Sequence, residues 1–158
     1  QYDRAVEDFT TAIRLDSNNP SYYYDRGLLY RQNGEHRTAV ADFTLAFEKY
    51  DRPEEKARVL NARGFSYFRL EDYDHATKDY TKAIELDPRN TQSHMNRAYL
   101  YRHTNRNEEA VDDYDEVISQ DPRNGEAFMG RGMSYHALEK TKETERDLLI
   151  SRYLRPLR

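Results

Sequence analysis

The sequence repeats itself with a period of 34 residues, and this constrains the fold more than any other feature. The segment KDYTKAIELDPRN at 78–90 is followed 34 residues later by DDYDEVISQDPRN at 112–124, which ends in the same four letters. A small residue recurs at the same step, apart from one step of 37, at Ala5, Ala39, Ala76 and Ala110. A period of this length is typical of stacked structural units, none of which buries its apolar side alone.

Two series of side chains keep this period at helical spacing. An aromatic residue follows each of the four alanines four residues later, at Phe9, Phe43, Tyr80 and Tyr114. In a second series a tyrosine follows a small residue three residues later, and the small residues are Gly27, Gly64, Ala98 and Gly132. Spacings of three and four place side chains on one face of a helix. Each unit is therefore predicted to contain two helices, and the chain is predicted to be all-α.

Turn and cap residues predict where the helices begin and end. Asn33-Gly34 marks the turn between the two helices of a pair, and Asn19-Pro20 reads as an N-cap followed by proline at the first helical position. The second helix of a pair is predicted to stop at an Asp-Pro step, as in Asp87-Pro88 and Asp121-Pro122.

We expect a single domain that starts with a second helix alone, in residues 1–19. Four repeats follow, at 20–56, 57–90, 91–124 and 125–158. The three additional residues in the longer step fall near residues 51–56, where they are predicted to lengthen a loop or the start of the next helix. The chain opens inside a helical pattern and without an initiator methionine, so we expect it to be part of a longer protein.

The period and the residues resemble the tetratricopeptide repeat. Its first helix is matched by YYDRGLLY, LNARGFSYF, HMNRAYLY and MGRGMSYH, and its second by YDHATKDYTKAIELDPRN. The resemblance covers the whole chain and implies a right-handed α-α superhelical solenoid of antiparallel helix pairs. Thr144 and Ser151 stand in the last unit where alanine is expected. This departure predicts a more polar terminal unit or a poorly assigned second helix.

The composition excludes several classes of protein. A net charge of −4 argues against nucleic-acid or membrane binding driven by overall charge. There is no cysteine, so disulfides, cysteine metal sites and cysteine nucleophiles are excluded. No apolar run reaches the length of about 18 residues that a membrane span needs, and no signal peptide is visible. We expect an intracellular, cytoplasmic protein.

No catalytic, metal or cofactor motif stands out. The five histidines show no metal-ligand spacing. Asp112 and Asp113 are adjacent on a predicted helix and face different directions, so they do not form an acid/base pair. We therefore expect no enzyme activity, no metal and no cofactor.

Two charged series also keep the period. Each first helix has an arginine just before its small residue, at Arg26, Arg63, Arg97 and Arg131. Each second helix has an aspartate before its aromatic position, in the series Asp8, Asp42, Asp79, Asp113 and Asp147. The arginines could bind an anionic ligand, but the aspartates in matching phase favour internal ion pairs.

The resemblance implies that a partner peptide binds the concave face, which the first helices line. Projection of each first helix away from its buried side predicts the groove residues Tyr24, Leu28, Arg31, Asn61, Phe65, Phe68, Arg69, Met95, Tyr99, Arg102, His103, Met129, Met133 and His136. This set is rich in arginine, histidine, aromatic residues and methionine, and it contains no carboxylate. It predicts a partner segment with acidic and apolar side chains. Alternatively, some of the rings belong to the core and the arginines are merely solvated.

Chaperone-binding members of the family hold a C-terminal carboxylate between lysine, asparagine and arginine side chains. Asn96 matches the middle asparagine of that clamp, but Phe65, Glu126 and Gly130 replace other members. A carboxylate clamp is therefore not predicted.

The function predicted first is a scaffold that binds another protein. The alternatives are a substrate-recruiting part of a larger enzyme or assembly and an RNA-binding helical repeat, which the net charge disfavours. The first helix is also predicted to expose Phe9 and Ile13, which would permit self-association.

Overall fold

The computed structural model describes residues 1–154, and all of its regular structure is helical. Nine helices lie within these residues: α1 (Tyr2–Leu15), α2 (Pro20–Gln32), α3 (His36–Lys49), α4 (Pro53–Arg69), α5 (Tyr73–Leu86), α6 (Thr91–His103), α7 (Asn107–Gln120), α8 (Gly125–Ala137) and α9 (Thr141–Leu154). Four antiparallel pairs follow α1, with α2, α4, α6 and α8 as first helices and α3, α5, α7 and α9 as second helices. The end of the predicted last repeat, 155–158, lies outside the described residues.

The chain forms two compact units. Unit 1 is Gln1–Pro88 and contains α1–α5, and unit 2 begins at Arg89 and contains α6–α9. Within each unit a helix packs mainly on its neighbours in sequence. The prediction of a single domain, with its repeat boundaries, stays a prediction.

The predicted caps are confirmed. The Asn19 side chain accepts a hydrogen bond from the Ser21 backbone N–H at 3.0 Å, with Pro20 at the first helical position. Asn90 and Asn124 cap α6 and α8 in the same way. The second helices α5 and α7 end just before the two predicted Asp-Pro steps.

The three additional residues extend the start of a helix rather than a loop. Helix α4 begins at Pro53, not near residue 57 as predicted, and has 17 residues, whereas α2 has 13. Proline at the first helical position has a φ that suits a helix, and its missing N–H is not needed there. Glu54 and Glu55 follow in the first turn, where the helix dipole favours negative charge.

The turn inside each pair uses one left-handed residue. Gly34 has a φ of 83°, and Glu71, Asn105 and Glu139 occupy the corresponding turns with φ between 57° and 60°. Only the first of these turns carries the glycine that such a φ favours. The turn is therefore imposed by the packing of the two helices on either side of it, which explains why glycine alone does not mark it in the sequence.

The small residues of the first helices lie against the aromatic residues of the second helices. A Cβ atom on Gly27 would lie 2.8 Å from the Phe43 ring, and one on Gly64 would lie 2.8 Å from the Tyr80 ring. Phe43 and Tyr80 are almost completely buried. Close approach of the two helices therefore requires glycine at these two positions.

The last pair follows the same plan with polar side chains in place of two alanines. Thr144 and Ser151 are buried in α9, and the Thr144 hydroxyl donates to the Lys140 carbonyl oxygen at 2.9 Å. The structure thus contains the second helix that the sequence pattern left in doubt.

Helix α1 is covered more than predicted. Phe9 and Ile13 are half-buried rather than exposed, and Ile13 packs on the core cluster around Phe43. The reason is that α2 already covers this side of α1. Self-association through α1 stays a prediction.

The internal ion pairs are confirmed in all four helix pairs. Each arginine of the first helix donates from Nε and Nη2 to both oxygens of the aspartate 16 residues later, at 2.6–3.0 Å: Arg26–Asp42, Arg63–Asp79, Arg97–Asp113 and Arg131–Asp147. Bidentate pairs of this kind combine strength with fixed geometry. These arginines are therefore structural, and the anionic-ligand hypothesis for them is not supported.

The preceding second helix is also bound by Arg26, Arg63 and Arg131. Arg26 Nη1 donates to Thr10 of α1 and Arg63 Nη1 to Thr44 of α3, each at 3.0 Å. Arg131 Nη1 bonds Asp115 of α7 in the same way. Each guanidinium thus holds three consecutive helices together.

We predict that unit 2 becomes less stable in acid because the stabilising contribution of the Arg97–Asp113 pair is lost there. Burial alone would raise the pKa of Asp113, but the hydrogen bonds from Arg97 and His94 hold it below its usual value. A depressed folded-state pKa contributes stability that is present above the unfolded pKa of about 3.9 and is lost as the pH falls through the folded value.

Urea unfolding should therefore show that the free energy of unfolding decreases more between pH 7 and pH 3 for the wild type than for Arg97→Ala. The exposed Arg123 provides a control, because Arg123→Ala should behave as the wild type does. Equal losses for the wild type and Arg97→Ala would contradict the prediction.

Candidate functional site

The predicted groove residues all lie on first helices and divide equally between the units. Unit 1 holds those of α2 and α4, and unit 2 holds those of α6 and α8. Most are half-buried, while Arg69, Tyr99, His103, Met133 and His136 are exposed.

On α2, two of the predicted residues belong partly to the core. Tyr24 and Leu28 are half-buried and pack on the cluster around Phe43, with 5.8 Å between the Tyr24 and Phe43 ring centroids. Arg58 of α4 lies over the outer side of the Tyr24 ring, 4.8 Å from its centroid. Burial raises the pKa of Tyr24, and the Arg58 and Arg31 charges oppose that shift. Arg58 is thus a surface residue of this site that the sequence analysis missed.

A cluster of basic side chains lies around Phe65 in unit 1. Arg31 lies over the Phe65 ring, 5.4 Å from its centroid, and the His36 ring meets Phe65 edge-on at 6.4 Å. Arg69 follows Phe65 by one helical turn. We call Arg31, His36, Phe65 and Arg69 the unit 1 basic patch. His36, at the start of α3, was not predicted as a site residue.

The electrostatics of this patch are positive. The pKa of His36 is lowered by burial first, and then by the charges of Arg69 and Arg31. Within the described part of the chain neither arginine forms an ion pair, unlike Arg26 and Arg63 of the same unit.

The remaining unit 1 residues lie on α4. Asn61 is half-buried there. Phe68 is also half-buried, and its ring lies 5.7 Å from the Tyr73 ring at the start of α5. Phe68 thus packs at the junction of α4 and α5.

Five of the seven predicted residues of unit 2 line one small cleft. This unit 2 cleft has a volume of about 260 Å³ and is lined by Gln92, Met95, Asn96, Tyr99, Arg102, Tyr114, Glu126, Met129, Gly130 and Met133. Pockets for drug-sized ligands usually start at about 300 Å³. The size and the three methionines therefore suit one or two apolar side chains of a peptide.

Arg102 spans the unit 2 cleft. Its guanidinium lies 5.4 Å from the Tyr99 ring centroid, and its Nη1 donates to the Met133 sulfur at 2.9 Å. Its Nε is buried and has no hydrogen-bond partner within residues 1–154. Tyr99 and Met133 are 48% and 46% exposed, so the apolar parts of the cleft face solvent.

Tyr114 is a second residue that the sequence analysis missed. Its ring belongs to the aromatic series, yet its phenol oxygen would lie 2.5 Å from a Cβ atom on Gly130, so it reaches the cleft. Burial raises the pKa of Tyr114, and Arg102 opposes the shift. The signal in the sequence was Gly130, an additional glycine two residues before Gly132 of the repeated series.

Two histidines and one carboxylate correct the prediction for unit 2. His103 and His136 do not line the unit 2 cleft, and His136 instead borders another depression with Glu139 and Glu145. Glu126 does line the cleft, so the site is not free of carboxylates as predicted. Glu126 precedes Met129 by three residues and therefore lies on the same side of α8.

Metal and membrane roles find no support within the described residues. No three histidine, aspartate or glutamate side chains of residues 1–154 are grouped so that they could hold a metal ion. None of the helices in this range combines the length and the apolar character that a membrane crossing requires.

Three family models match the chain. Tetratricopeptide repeat models match residues 57–90 and 79–112, and a TPR repeat model matches residues 1–34.

Curated relatives share part of their length with the chain. It is 34% identical over 127 residues to the DnaJ homolog subfamily C member 7 homolog of Dictyostelium discoideum, covering 67% of this chain and 22% of that protein. It is 34% identical over 89 residues to the small glutamine-rich tetratricopeptide repeat-containing protein 2 of Mycosarcoma maydis, covering 56% and 24%. A third match, 40% over 67 residues, is the serine/threonine-protein phosphatase T of Aspergillus oryzae, covering 41% and 13%. The chain thus spans a quarter or less of these relatives.

Solved structures share the fold at low identity. MamA superposes with a TM-score of 0.89 at 18% identity, over 97% of this chain and 88% of that one. YrrB, described as a TPR protein with an unusual peptide-binding site, superposes with a TM-score of 0.81 at 22% identity, over 98% and 78%. The predicted fold class, an all-α solenoid of antiparallel helix pairs, is confirmed by this likeness.

Proposed function

Since the chain belongs to the tetratricopeptide repeat family and is a scaffold for protein–protein interaction, we propose that its first helices bind an extended or helical segment of a partner protein that carries acidic and apolar side chains. The proposed contact residues in unit 1 are those of the basic patch with Arg58 and Tyr24. In unit 2 they are those of the cleft.

One observation carries this proposal. In each unit an arginine from one first helix touches an apolar side chain of the next: Arg31 lies over Phe65, and Arg102 bonds Met133. A cation beside a solvent-facing apolar side chain can accept a carboxylate and an apolar group from the same segment. Arginine, aromatic residues and methionine are enriched at interfaces for this reason.

The charge preference comes mainly from unit 1. Arg31 and Arg69 have no carboxylate partner within the described residues, whereas Glu126 lies in the unit 2 cleft with Arg102. We therefore propose that acidic side chains bind unit 1 and that apolar side chains bind among the methionines of unit 2.

The carboxylate clamp is not part of this proposal. Some relatives carry co-chaperone names, such as the sgt12 co-chaperone of Aspergillus fumigatus. Phe65, Glu126 and Gly130 nevertheless replace polar or basic members of the clamp, and Glu126 would repel a terminal carboxylate.

A charge-reversal variant tests the proposed function. Peptides are selected from a display library with the wild type, and their affinities are measured by fluorescence anisotropy. We expect Arg69→Glu/Arg102→Glu to lower the affinity for acidic–apolar peptides by about tenfold or more, because each change places a negative charge opposite the acidic side chains of the peptide. The control is Arg4→Glu/Arg123→Glu, which makes the same charge change at exposed positions outside the site.

Equal weakening by the control variant, or unchanged affinity of the site variant, would contradict the proposed site. Salt dependence separates the RNA alternative: nucleic-acid binding should weaken steeply with salt in proportion to the phosphate contacts, and an apolar anchor should weaken much less.

The second candidate is a recruiting domain of a larger enzyme. The similarity to phosphatase T, of which this chain covers 13%, favours it. In that case the same surfaces would bind the substrate protein, and the chain itself would stay non-catalytic. An intracellular location stays a prediction.

A further inference from the structure

The unit 1 basic patch brings together two arginines and one histidine from three helices. Arg31 comes from the end of α2, His36 from the start of α3 and Arg69 from the end of α4. The Phe65 ring supports two of them, with Arg31 at 5.4 Å and His36 at 6.4 Å from its centroid. The ring contacts both groups and does not neutralise the charge of Arg31.

No acid neutralises the patch. Within residues 1–154 neither Arg31 nor Arg69 forms an ion pair, while Arg26 and Arg63 are saturated by their aspartates. Glu35 precedes His36 in the chain, but its carboxylate accepts hydrogen bonds from the Tyr2 hydroxyl and from Asn33 Nδ2. Two arginine charges therefore remain available.

His36 has an unused hydrogen-bonding atom. Its Nδ1 is buried and has no hydrogen-bond partner in the described part of the chain. A buried polar atom of this kind is costly to leave unpaired, so a ligand that pairs with it gains free energy.

We propose that the unit 1 basic patch binds a phosphoryl group on the partner segment, with Arg31, Arg69 and His36 as its donors. This inference rests on the proposed function and specifies one ligand group of the same surface. A phosphorylated side chain carries a charge of about −1.5 to −2 and three acceptor oxygens. A carboxylate carries one charge and two oxygens, which would leave one of the two guanidinium groups uncompensated. Planar guanidinium groups are also well suited to phosphate oxygens.

The same geometry makes binding depend on pH. His36 faces Arg31 from α2 and Arg69 from α4, and these charges together with burial lower its pKa in the free protein. A bound dianion opposes them and raises the pKa of His36, so binding takes up a proton. Affinity for a dianion should therefore increase as the pH falls through the pKa of His36 in the bound state.

Histidine ring resonances provide the test. Inorganic phosphate, acetate and sodium chloride are titrated at matched ionic strength into the wild type and into Arg31→Gln/Arg69→Gln. We expect phosphate to shift the His36 signals in a saturable way. Acetate should bind with at least about fivefold lower affinity, because it carries a single charge. His75 of the same unit, hydrogen-bonded to Asp72, is the internal control and should not move.

The double glutamine variant should keep its fold, because neither arginine has a carboxylate partner, and circular dichroism checks this. It should lose the phosphate-dependent shift. A shift that chloride reproduces, or one that the variant retains, overturns the proposal. Acetate binding as tight as phosphate binding also overturns it and assigns the patch to a carboxylate side chain.

The pH dependence is measured with sulfate, which stays a dianion, so that changes report on the protein. Calorimetry should show tighter sulfate binding at pH 6 than at pH 8 for the wild type and no such difference for His36→Gln. An equal dependence in both overturns the role of His36. These experiments use no partner peptide, so their failure would leave peptide binding by the scaffold untouched.

Discussion

Replacing Arg97 by alanine is expected to lower the free energy of unfolding by about 3–5 kcal/mol, because it leaves a buried carboxylate without its main partner. The Asp113 side chain is 5% exposed, and Arg97 supplies two of its hydrogen bonds at 2.8 Å each. His94 provides a third contact at 2.8 Å but cannot replace a bidentate guanidinium.

The measurement is urea unfolding followed by circular dichroism, with hydrogen exchange to locate the loss in unit 2. Arg123→Ala removes an exposed arginine of the same unit and should change the stability by less than about 0.5 kcal/mol. If Arg97→Ala were as stable as this control but lost peptide binding, the arginine would be a ligand contact and not a structural one.

The second large effect concerns two glycines of α8, of which only Gly132 belongs to the repeated series of small residues. A Cβ atom on Gly130 would overlap the Tyr114 ring, whereas one on Gly132 would lie 3.2 Å from the Leu148 side chain and 3.3 Å from the Asp147 Cβ. Overpacking a buried ring costs about 1–3 kcal/mol, while alanine in place of glycine inside a helix gains about 1 kcal/mol.

We therefore expect Gly130→Ala to be clearly more destabilising than Gly132→Ala, because only the first change places the new Cβ atom inside the volume of a buried ring. Both variants change helix propensity equally, so their difference in thermal unfolding reports the contact with Tyr114. Displacement of Tyr114 should also disturb Arg102 and lower the affinity of the unit 2 cleft for apolar peptides. Equal stability of the two variants would show that the ring moves aside at no cost.

The repeated features of the fold were predictable because each depends on local spacing. The Arg–Asp pairs follow from two series in matching phase, and helix ends follow from the cap at Asn19 and the Asp-Pro steps at 87–88 and 121–122. The start of α4 at Pro53 was missed, because a loop and a longer helix satisfy the same three-residue insertion. The left-handed turns at Glu71 and Glu139 were missed because their residue type does not indicate them.

The candidate site was only partly predictable, because helical projection gives the direction of a residue but not its contacts. Tyr24 and Leu28 point outward yet pack partly on the core, and His136 lies beside Glu139 instead of the methionines. Arg58, His36 and Tyr114 join the site because each contacts a site residue of another helix or lines the cleft.

The sequence by itself determined the repeat unit, its helix pairs and their internal ion pairs, since these depend on residues at fixed separations along one chain. Only the tertiary structure decided which arginines remain unpaired. Arg26 and Arg31 are both arginines of α2, and nothing in their residue type distinguishes them. The neighbouring helices give Arg26 a buried carboxylate and give Arg31 only an aromatic ring, so one charge is consumed by the fold and the other stays available for a ligand.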